Sequence, residues 1–387
     1  SWKAFGEWEL SVSKGLDDLT DQEKIHIDKL TEGISDPKEI ISILYHYMQD
    51  NTRYVSVDID LGGLKPYPAS YVCNNRFGDC KALSNYMQAL LAYKGIQSNC
   101  IDINAGVKNQ KIYSDFPAQQ FNHVLLAVSF PSDTIWLECT SNTDPVNYLG
   151  PFTQNRPALW IEKNNSRLVR TPALKTNDVN TLNRYSFEPV TENRYKLDAL
   201  FLLRGSLYEK VISVNRNWSE KEKKDYFSTF LAFKNYLSEQ FNISNINRDS
   251  GNVIFETSGY CNSPFQTVGE FIKVDLPPMN LPAFEKVKER ELPVNLTMPL
   301  AQTDTIYYEL NADSLSMVSD KKLNIENRFG KLSMELFSQK GDLKVVRKYE
   351  IPSQEIPLAE YKEFFDFLTQ LNTKGGSIFV KPNKSRP

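Results

Sequence analysis

Arg76-Phe77-Gly78-Asp79-Cys80-Lys81-Ala82-Leu83-Ser84-Asn85-Tyr86-Met87 carries the chain from an irregular segment into a helix. Apolar residues recur at Leu83, Tyr86, Met87, Leu90 and Leu91, the three-and-four spacing of one helix face. Gly95 stands just past that pattern, where a left-handed C-terminal cap is wanted. Gly78 allows a tight turn into the helix, so Cys80 falls in the first turn. Free backbone N–H groups and the positive end of the helix dipole favour an anion there. A thiol so placed can ionise well below its free value of about 8.5, which makes Cys80 a candidate nucleophile; the plainer reading is one more buried cysteine.

Downstream of Gly95 the periodicity becomes extended. Residues 98–104 alternate polar and apolar, and residues 112–120 form a polar connection. Phe121-Asn122-His123-Val124-Leu125-Leu126-Ala127-Val128 and Thr134-Ile135-Trp136-Leu137-Glu138-Cys139 read as two strands joined through Phe130-Pro131-Ser132, most simply an antiparallel hairpin. A fold symmetric about Phe130-Pro131 sets His123 directly opposite Glu138, with Cβ atoms about 5 Å apart on one face. A slip of one residue separates them onto opposite faces. In the expected register Glu138 fixes the imidazole tautomer and leaves the other ring nitrogen to accept a proton. Cys139 then points into the core, and Trp136 shares the face of Glu138, where it packs or shields the ion pair. Leu159-Trp160-Ile161 and Leu168-Val169-Arg170 form another short hairpin around Asn164-Asn165.

Upstream, residues 1–35 are partly helical with no core of their own. Asp36-Pro37-Lys38-Glu39 starts a helix: Asp36 caps, Pro37 suits the first helical position and Glu39 completes a box-like arrangement. Ile40, Ile41, Leu44, Tyr47 and Met48 make its apolar face, with His46 off that face in a structural role. Residues 54–57 read as a short strand and 62–68, rich in Gly and Pro, as a loop walling a cleft. His26 lies in a charged segment and is read as a surface residue.

The remainder is β-rich. A polar stretch, 171–183, sets a boundary near 180. Tyr195, Leu197, Ala199, Phe201 and Leu203 alternate as a strand. The capping box Ser219-Glu220-Lys221-Glu222 opens a long helix expected to carry Phe227, Phe230, Leu231, Lys234 and Leu237. A last helix spans about 357–372, with Phe364, Phe365, Phe367, Leu368 and Leu371, before a final strand at 378–380. Leu276-Pro277-Pro278-Met279-Asn280-Leu281-Pro282 is a candidate divider. The expected organisation is a leading segment 1–35, a domain 36–180, and a β-rich region 181–387 in two modules split near 277–295.

Composition narrows the function. At 41% hydrophobic and 24% charged, the 387 residues make a globular chain. A net charge of −3 with scattered basic residues argues against a nucleic-acid partner. No apolar run approaches the roughly 18 residues of a membrane span. No signal peptide is visible at Ser1-Trp2-Lys3, where the chain begins abruptly, as a mature or trimmed product would. Cys73, Cys80, Cys100, Cys139 and Cys261 form no disulfide framework and no Cys-x-x-Cys zinc pair, although Cys100 and Cys139 lie on neighbouring expected strands. Three separated histidines provide no metal-ligand spacing, so no metal and no cofactor is expected.

Cys80, His123 and Glu138 stand in chain order as nucleophile, base and orienting acid, the parts that thiol chemistry on acyl groups requires. The Cys80 backbone N–H supplies one oxyanion donor; Tyr54 is a candidate for a second, with packing its simpler role. The stretches Asn75-Arg76-Phe77-Gly78-Asp79-Cys80-Lys81, Phe121-Asn122-His123-Val124 and Trp136-Leu137-Glu138-Cys139-Thr140 together resemble the bacterial transglutaminase-like superfamily, in particular the subfamily whose core lies between flanking modules of unknown function. The resemblance covers residues 30–155 and, with weaker motifs, the β-rich remainder; the N-terminal flanking module is missing or reduced to its tail. It implies an α+β papain- or transglutaminase-like core with an antiparallel sheet and a Cys-bearing helix, then a β-rich region containing a long helix.

The resemblance implies Cys80 as nucleophile, His123 as general base and Glu138 as orienting acid, with export to the periplasm or cell surface. Two features depart from it: Glu stands where the superfamily usually has Asp, and Ala82-Leu83 follow Lys81. Two functions stay open at this point. One is a cysteine hydrolase or acyltransferase acting on peptide or protein amide bonds through a thioester. The other is a non-catalytic exported binding or scaffold protein with a vestigial triad, its β modules holding a cell-envelope protein or glycan. Substrate and oligomeric state are not legible.

Overall fold

The structure is a computed structural model that describes residues 1–56, 63–106, 111–284, 290–309, 315–317, 321–339 and 342–382. The chain divides into two compact units, 1–174 with 248–250 and 175–247 with 251–387. Both are mixed α and β with largely antiparallel sheets, in the expected α+β class.

The first unit runs α1 (Trp2–Ser13), α2 (Asp21–Leu30), α3 (Pro37–Asn51), β1 (Arg53–Tyr54), α4 (Ala69–Asn75), β2 (Phe77–Gly78), α5 (Cys80–Tyr93), β3 (Asn99–Ile103), β4 (His123–Phe130), β5 (Asp133–Leu137), β6 (Pro157–Trp160) and β7 (Arg167–Arg170). The last five strands form one antiparallel sheet ordered β5-β4-β3-β6-β7. One face is covered by α3 and α5, whose Ile41, Leu44, Met48, Leu83, Met87 and Leu90 join Leu126, Val128, Leu137 and Cys139. Burying each such side chain is worth about 1.5–3 kcal/mol, enough to hold α5 against the sheet without help from the loops. The helix at Asp36-Pro37 starts as its residues dictate, with the Asp36 carboxylate accepting from the Lys38 N–H at 3.0 Å.

The leading segment has no separate core. Ile27 of α2 and the preceding Leu19 join the α3/α5 cluster, while Trp2, Phe5 and Leu10 of α1 pack on Phe121, Leu159 and Ile161. The short strand expected over 54–57 is Arg53–Tyr54 among the described residues, with Val57 outside them; Gly62 of the expected loop also lies outside them.

The second unit contains α6 (Thr176–Val179), β8 (Thr181–Thr191), β9 (Arg194–Arg204), α7 (Ser206–Asn217), α8 (Glu220–Ser228), β10 (Leu237–Asn247), β11 (Asn252–Asn262), β12 (Phe265–Val268), β13 (Phe271–Asp275), β14 (Val294–Leu296), β15 (Leu300–Tyr308), β16 (Leu315–Met317), β17 (Lys322–Asn327), β18 (Gly330–Gln339), β19 (Asp342–Ile351), β20 (Gln354–Ile356), α9 (Tyr361–Gly375) and β21 (Ser377–Pro382). Its main sheet has eight strands, β10-β11-β9-β8-β15-β19-β18-β17. Strands from before and after residues 277–295 meet in this sheet, because β8 pairs in parallel with β15. The prolyl segment therefore connects strands of one sheet and does not divide two modules.

Two further expectations are corrected. The helix opened by Ser219 stops at Ser228, and Leu237 begins a strand where it is exposed. Ser228 and Thr229 turn their hydroxyls back onto the carbonyls of Asp225 and Tyr226, competing with helix propagation, and Lys234 and Asn235 take positive φ. The aromatic run Tyr226–Phe233 still packs inward, against Phe255 among others, as spacing alone suggested. The long helix of this unit is α9, whose Phe364, Phe367, Leu368 and Leu371 fill a core with Phe329 and Tyr349.

Candidate active site

Asp79, a residue whose cap role the sequence reading passed over, sets the start of α5. Its carboxylate accepts the Ala82 N–H at 2.8 Å, making Cys80 the first helical residue. Gly78 serves a different purpose from the one expected. It lies in β2, paired in parallel with Tyr54, and a Cβ there would stand 2.8 Å from the Ala82 methyl. Its smallness lets the strand press against the helix. At the other end, Gly95 takes φ +74, its N–H reaching the Ala92 carbonyl while Ile96 N–H reaches Leu91, the double closure of a left-handed helix cap.

His123 opens β4. Asn122 before it brackets Ala105 from both sides, accepting its N–H at 2.7 Å and donating to its carbonyl at 3.0 Å, which pins the strand's start. The hairpin register differs from expectation. Phe130 pairs with Asp133, so the two-residue turn is Pro131-Ser132 and the ladder runs back to Leu126 opposite Leu137. Pro131 has no N–H to give a ladder and so falls in the turn. The register is displaced by two residues from direct opposition of His123 and Glu138. Two residues preserve the face, and Glu138, one past the ladder's end, reaches His123 on a diagonal. Both carboxylate oxygens stand 3.0 Å from Nε2. The extra methylene of Glu over Asp leaves this contact intact.

The third member lies close by: the Cys80 side chain is near enough to the His123 ring to raise its pKa. With Nε2 committed to Glu138, Nδ1 is the ring nitrogen left for other chemistry. Burial, the largest influence on His123, acts to lower its pKa. The Glu138 charge, the nearby Cys80 side chain and the hydrogen bond to Glu138 outweigh burial and raise it to about 10. Burial pushes Glu138 up, but the His123 charge and hydrogen bonds from His123 and Thr140 hold it below the usual carboxylate range. Both directions describe an imidazolium–carboxylate pair.

Several residues that hold the group were not singled out from sequence. Thr140 donates its backbone N–H (3.1 Å) and its hydroxyl (2.5 Å) to Glu138 Oε1. A Thr two residues past an acid can bond back in this way, and that spacing was a readable signal. Tyr45 of α3 donates to the Glu138 backbone carbonyl at 2.9 Å, tying the strand's end to the helix layer. Arg76, in the left-handed conformation at φ 61, binds buried Glu23 through both Nη atoms at 3.2 and 3.0 Å. Tyr47 and Tyr86 donate to the same carboxylate. Helices α2, α3 and α5 are thus fastened together just ahead of Cys80.

The other cysteines are separate from this group. All five are free thiols, so Cys100 and Cys139 do not pair. Burial raises Cys73, Cys139 and Cys261, and raises Cys100 to about 12. Cys139 is packed in the α5 core as expected, and Trp136 meets Trp160 edge-on at 6.0 Å in a packing role. Tyr54 is exposed in β1, and His26 and His46 are not part of the group. Among the described residues, no helix is long and apolar enough to cross a membrane.

Residues 271–380 match the family described as a domain of unknown function with solved structure, DUF3858, which covers part of the second unit only. No curated protein matches the chain. Among solved structures, it is similar to a protein of Parabacteroides distasonis ATCC 8503 described as a candidate protease, with a TM-score of 0.56 over 98% of this chain at 12% identity. The chain spans 59% of that protein's length. The likeness is one of fold.

Proposed function

We propose that this protein is a cysteine hydrolase or acyltransferase of the transglutaminase-like kind, acting on peptide or protein amide bonds through a thioester on Cys80. The observation that carries this reading is His123, held by both oxygens of Glu138 on Nε2 with Cys80 close enough to act on the same ring.

In the proposed reaction the proton that makes His123 an imidazolium is the one given up by the attacking thiol, carried on Nδ1 while the charge of Glu138 stabilises the ring. Sulfur attacks the amide carbon, and the Cys80 backbone N–H at the helix start faces the developing oxyanion. The tetrahedral species collapses as the C–N bond breaks, and the leaving amine takes the proton from His123. Water, or an amine in a transferase, then attacks the thioester carbonyl. His123 accepts the attacker's proton and returns one to the departing sulfur.

The intact contact from the longer Glu138 weakens the case for a vestigial triad. The Parabacteroides neighbour's description supports amide hydrolysis, and the family resemblance supports export to the periplasm or cell surface, which cell fractionation tests. The deciding measurement is iodoacetamide alkylation of Cys80 below pH 7, followed by peptide mapping. We expect a rate well above that of an ordinary thiol, falling by about 10²-fold in His123→Ala, the lower end of what a positioned base supplies. A Cys80 rate no faster than an ordinary thiol sinks the reading.

A further inference from the structure

A second feature lies at the start of α5. A cavity of about 150 Å³ opens in the first unit between α1, the start of α5 and strand β3. Its lining includes Lys81 and Val124, the residues next in sequence to Cys80 and His123. Water occupies about 30 Å³, so the space admits one side chain and not a length of peptide.

The charges around it are unbalanced. Asp102, from β3, is only 6% exposed and lines the cavity, yet no hydrogen bond or ion pair reaches its carboxylate from any described residue. Glu9 of α1 faces the same space and likewise has no ion-pair partner among the described residues. The cationic lining residue nearest Cys80, Lys81, has its ammonium 2.6 Å from Asp79. Of the other charged lining residues, Glu162 is held by Arg167 at 2.8 Å, and Lys163 is exposed. Burial is the main force raising both Asp102, to about 8, and Glu9; the Glu9 charge raises Asp102 further, and the Lys81 ammonium, held by Asp79, lowers both without cancelling the rise. A buried carboxyl without a donor costs free energy that a hydrogen-bonding cation would offset.

We propose that this cavity is a specificity subsite for an alkylammonium group, with Asp102 as its floor and Glu9 at its rim. Such a group is a lysine-like side chain on the acyl donor or the amine that accepts the acyl group. The proposal rests on the reading of Cys80 as nucleophile, and Asp102 and Glu9 act as binding residues with no part in bond breaking.

The test uses the full chain and three methanethiosulfonates: 2-aminoethyl (cationic), ethyl (neutral) and 2-sulfonatoethyl (anionic). The Cys80 sulfur attacks the thiosulfonate sulfur, a disulfide forms and methanesulfinate leaves. Peptide mapping separates Cys80 from Cys100, which also lines the cavity. The quantity read is the cationic-to-neutral rate ratio, in which any change of thiol reactivity cancels. We expect that ratio to exceed the 2-mercaptoethanol control by about tenfold, the size of one charged hydrogen bond. It should fall to the control value in Asp102→Asn, recover in part in Asp102→Glu, and fall less in Glu9→Gln. A ratio equal to the control, or one unmoved by Asp102→Asn, overturns the subsite. A slow Cys80 with all three reagents instead overturns the nucleophile reading, so the two failures are distinct.

A second arm separates the two sources of the ammonium. Cys80 is acylated with p-nitrophenyl acetate, releasing p-nitrophenolate, in the presence of n-butylammonium. An accepting amine yields N-butylacetamide in an Asp102-dependent way. A donor side-chain site shows Asp102-dependent slowing of acylation with no amide product. If neither Asp102-dependent effect is seen, the subsite is overturned.

Discussion

Arg347 and Asp304 lie at 0% and 1% side-chain exposure in the second unit, and His123 and Glu138 at 15% and 9% in the first. The Arg347 guanidinium donates from Nε and Nη2 to Asp304, from Nη2 to the Pro277 carbonyl and from Nη1 to the Gly375 carbonyl. Asp304 also accepts from Asn183 at 2.9 Å and Gln302 at 2.8 Å. No guanidinium nitrogen and no carboxylate oxygen lacks a partner, and arginine cannot give up its proton. The His123 pair is built from a group that can. Its carboxylate is saturated by Thr140 and the ring, but the ring has a second nitrogen that Glu138 does not hold, with the Cys80 thiol nearby. Saturation makes one pair a fastener; one exchangeable proton left at the edge of the other makes it a candidate for chemistry.

The difference can be broken by mutation. Asp304→Ala should be the most damaging change, because it strands a permanent charge in the core at a cost of about 3–5 kcal/mol. Urea unfolding followed by a probe in the second unit reads it. Replacing both partners with apolar residues of similar size should recover most of the loss. If Asp304→Ala costs no more than Glu138→Ala, the contrast between the pairs is wrong, since His123 can escape by releasing its proton.

The contrast is sharpened by pH. Raised to about 10, His123 contributes stability that is full below its ordinary 6.5 and is lost as pH rises through about 10. Glu138, held low, contributes stability present above its ordinary 4.5 and lost as pH falls through its lowered value. The stability gap between wild type and Glu138→Gln should be widest near pH 5–6.5 and should narrow by more than about 1 kcal/mol by pH 10. A gap independent of pH across that window would mean the two groups are not an ion pair.

The smallest effect concerns Thr140. Thr140→Val removes the hydroxyl donor to Glu138 Oε1 while the backbone donor stays. The loss is one hydrogen bond, about 1 kcal/mol, so Cys80 alkylation should slow by roughly fivefold. No change would show that the backbone N–H alone orients the carboxylate.

What could be read from the residues was local. Asp36-Pro37, the Leu83-to-Leu91 face, Gly95 and the strand pair around Pro131 each announce themselves through propensity and spacing, and together they brought Cys80, His123 and Glu138 to one place. What could not be read depended on partners far along the chain. Glu23 looks like a surface acid in Asp21-Gln22-Glu23-Lys24 until Tyr47, Tyr86 and Arg76 close over it. The helix from Ser219 was overextended because aromatic spacing at Phe227, Phe230 and Leu231 fits a helix, while the back-bonding of Ser228 and Thr229 is a competing local choice. Helix α7, Ser206–Asn217, went unread between two β patterns. Asp102 looked like one polar position in an alternating strand, and only the cavity distinguishes it.

The hairpin around Pro131 has a consequence for how such a protein can change over generations. Its acid and base stayed together although the register differed by two residues from the symmetric arrangement. Side chains on a strand alternate with a period of two. Insertions or deletions that move the ladder by two residues leave His123 and Glu138 on one face, within reach of a longer or shorter carboxylate. Those that move it by one put the sheet between them. Drift in this turn should therefore come in even steps, and a longer acid such as Glu138 is one way for a lineage to absorb such a step.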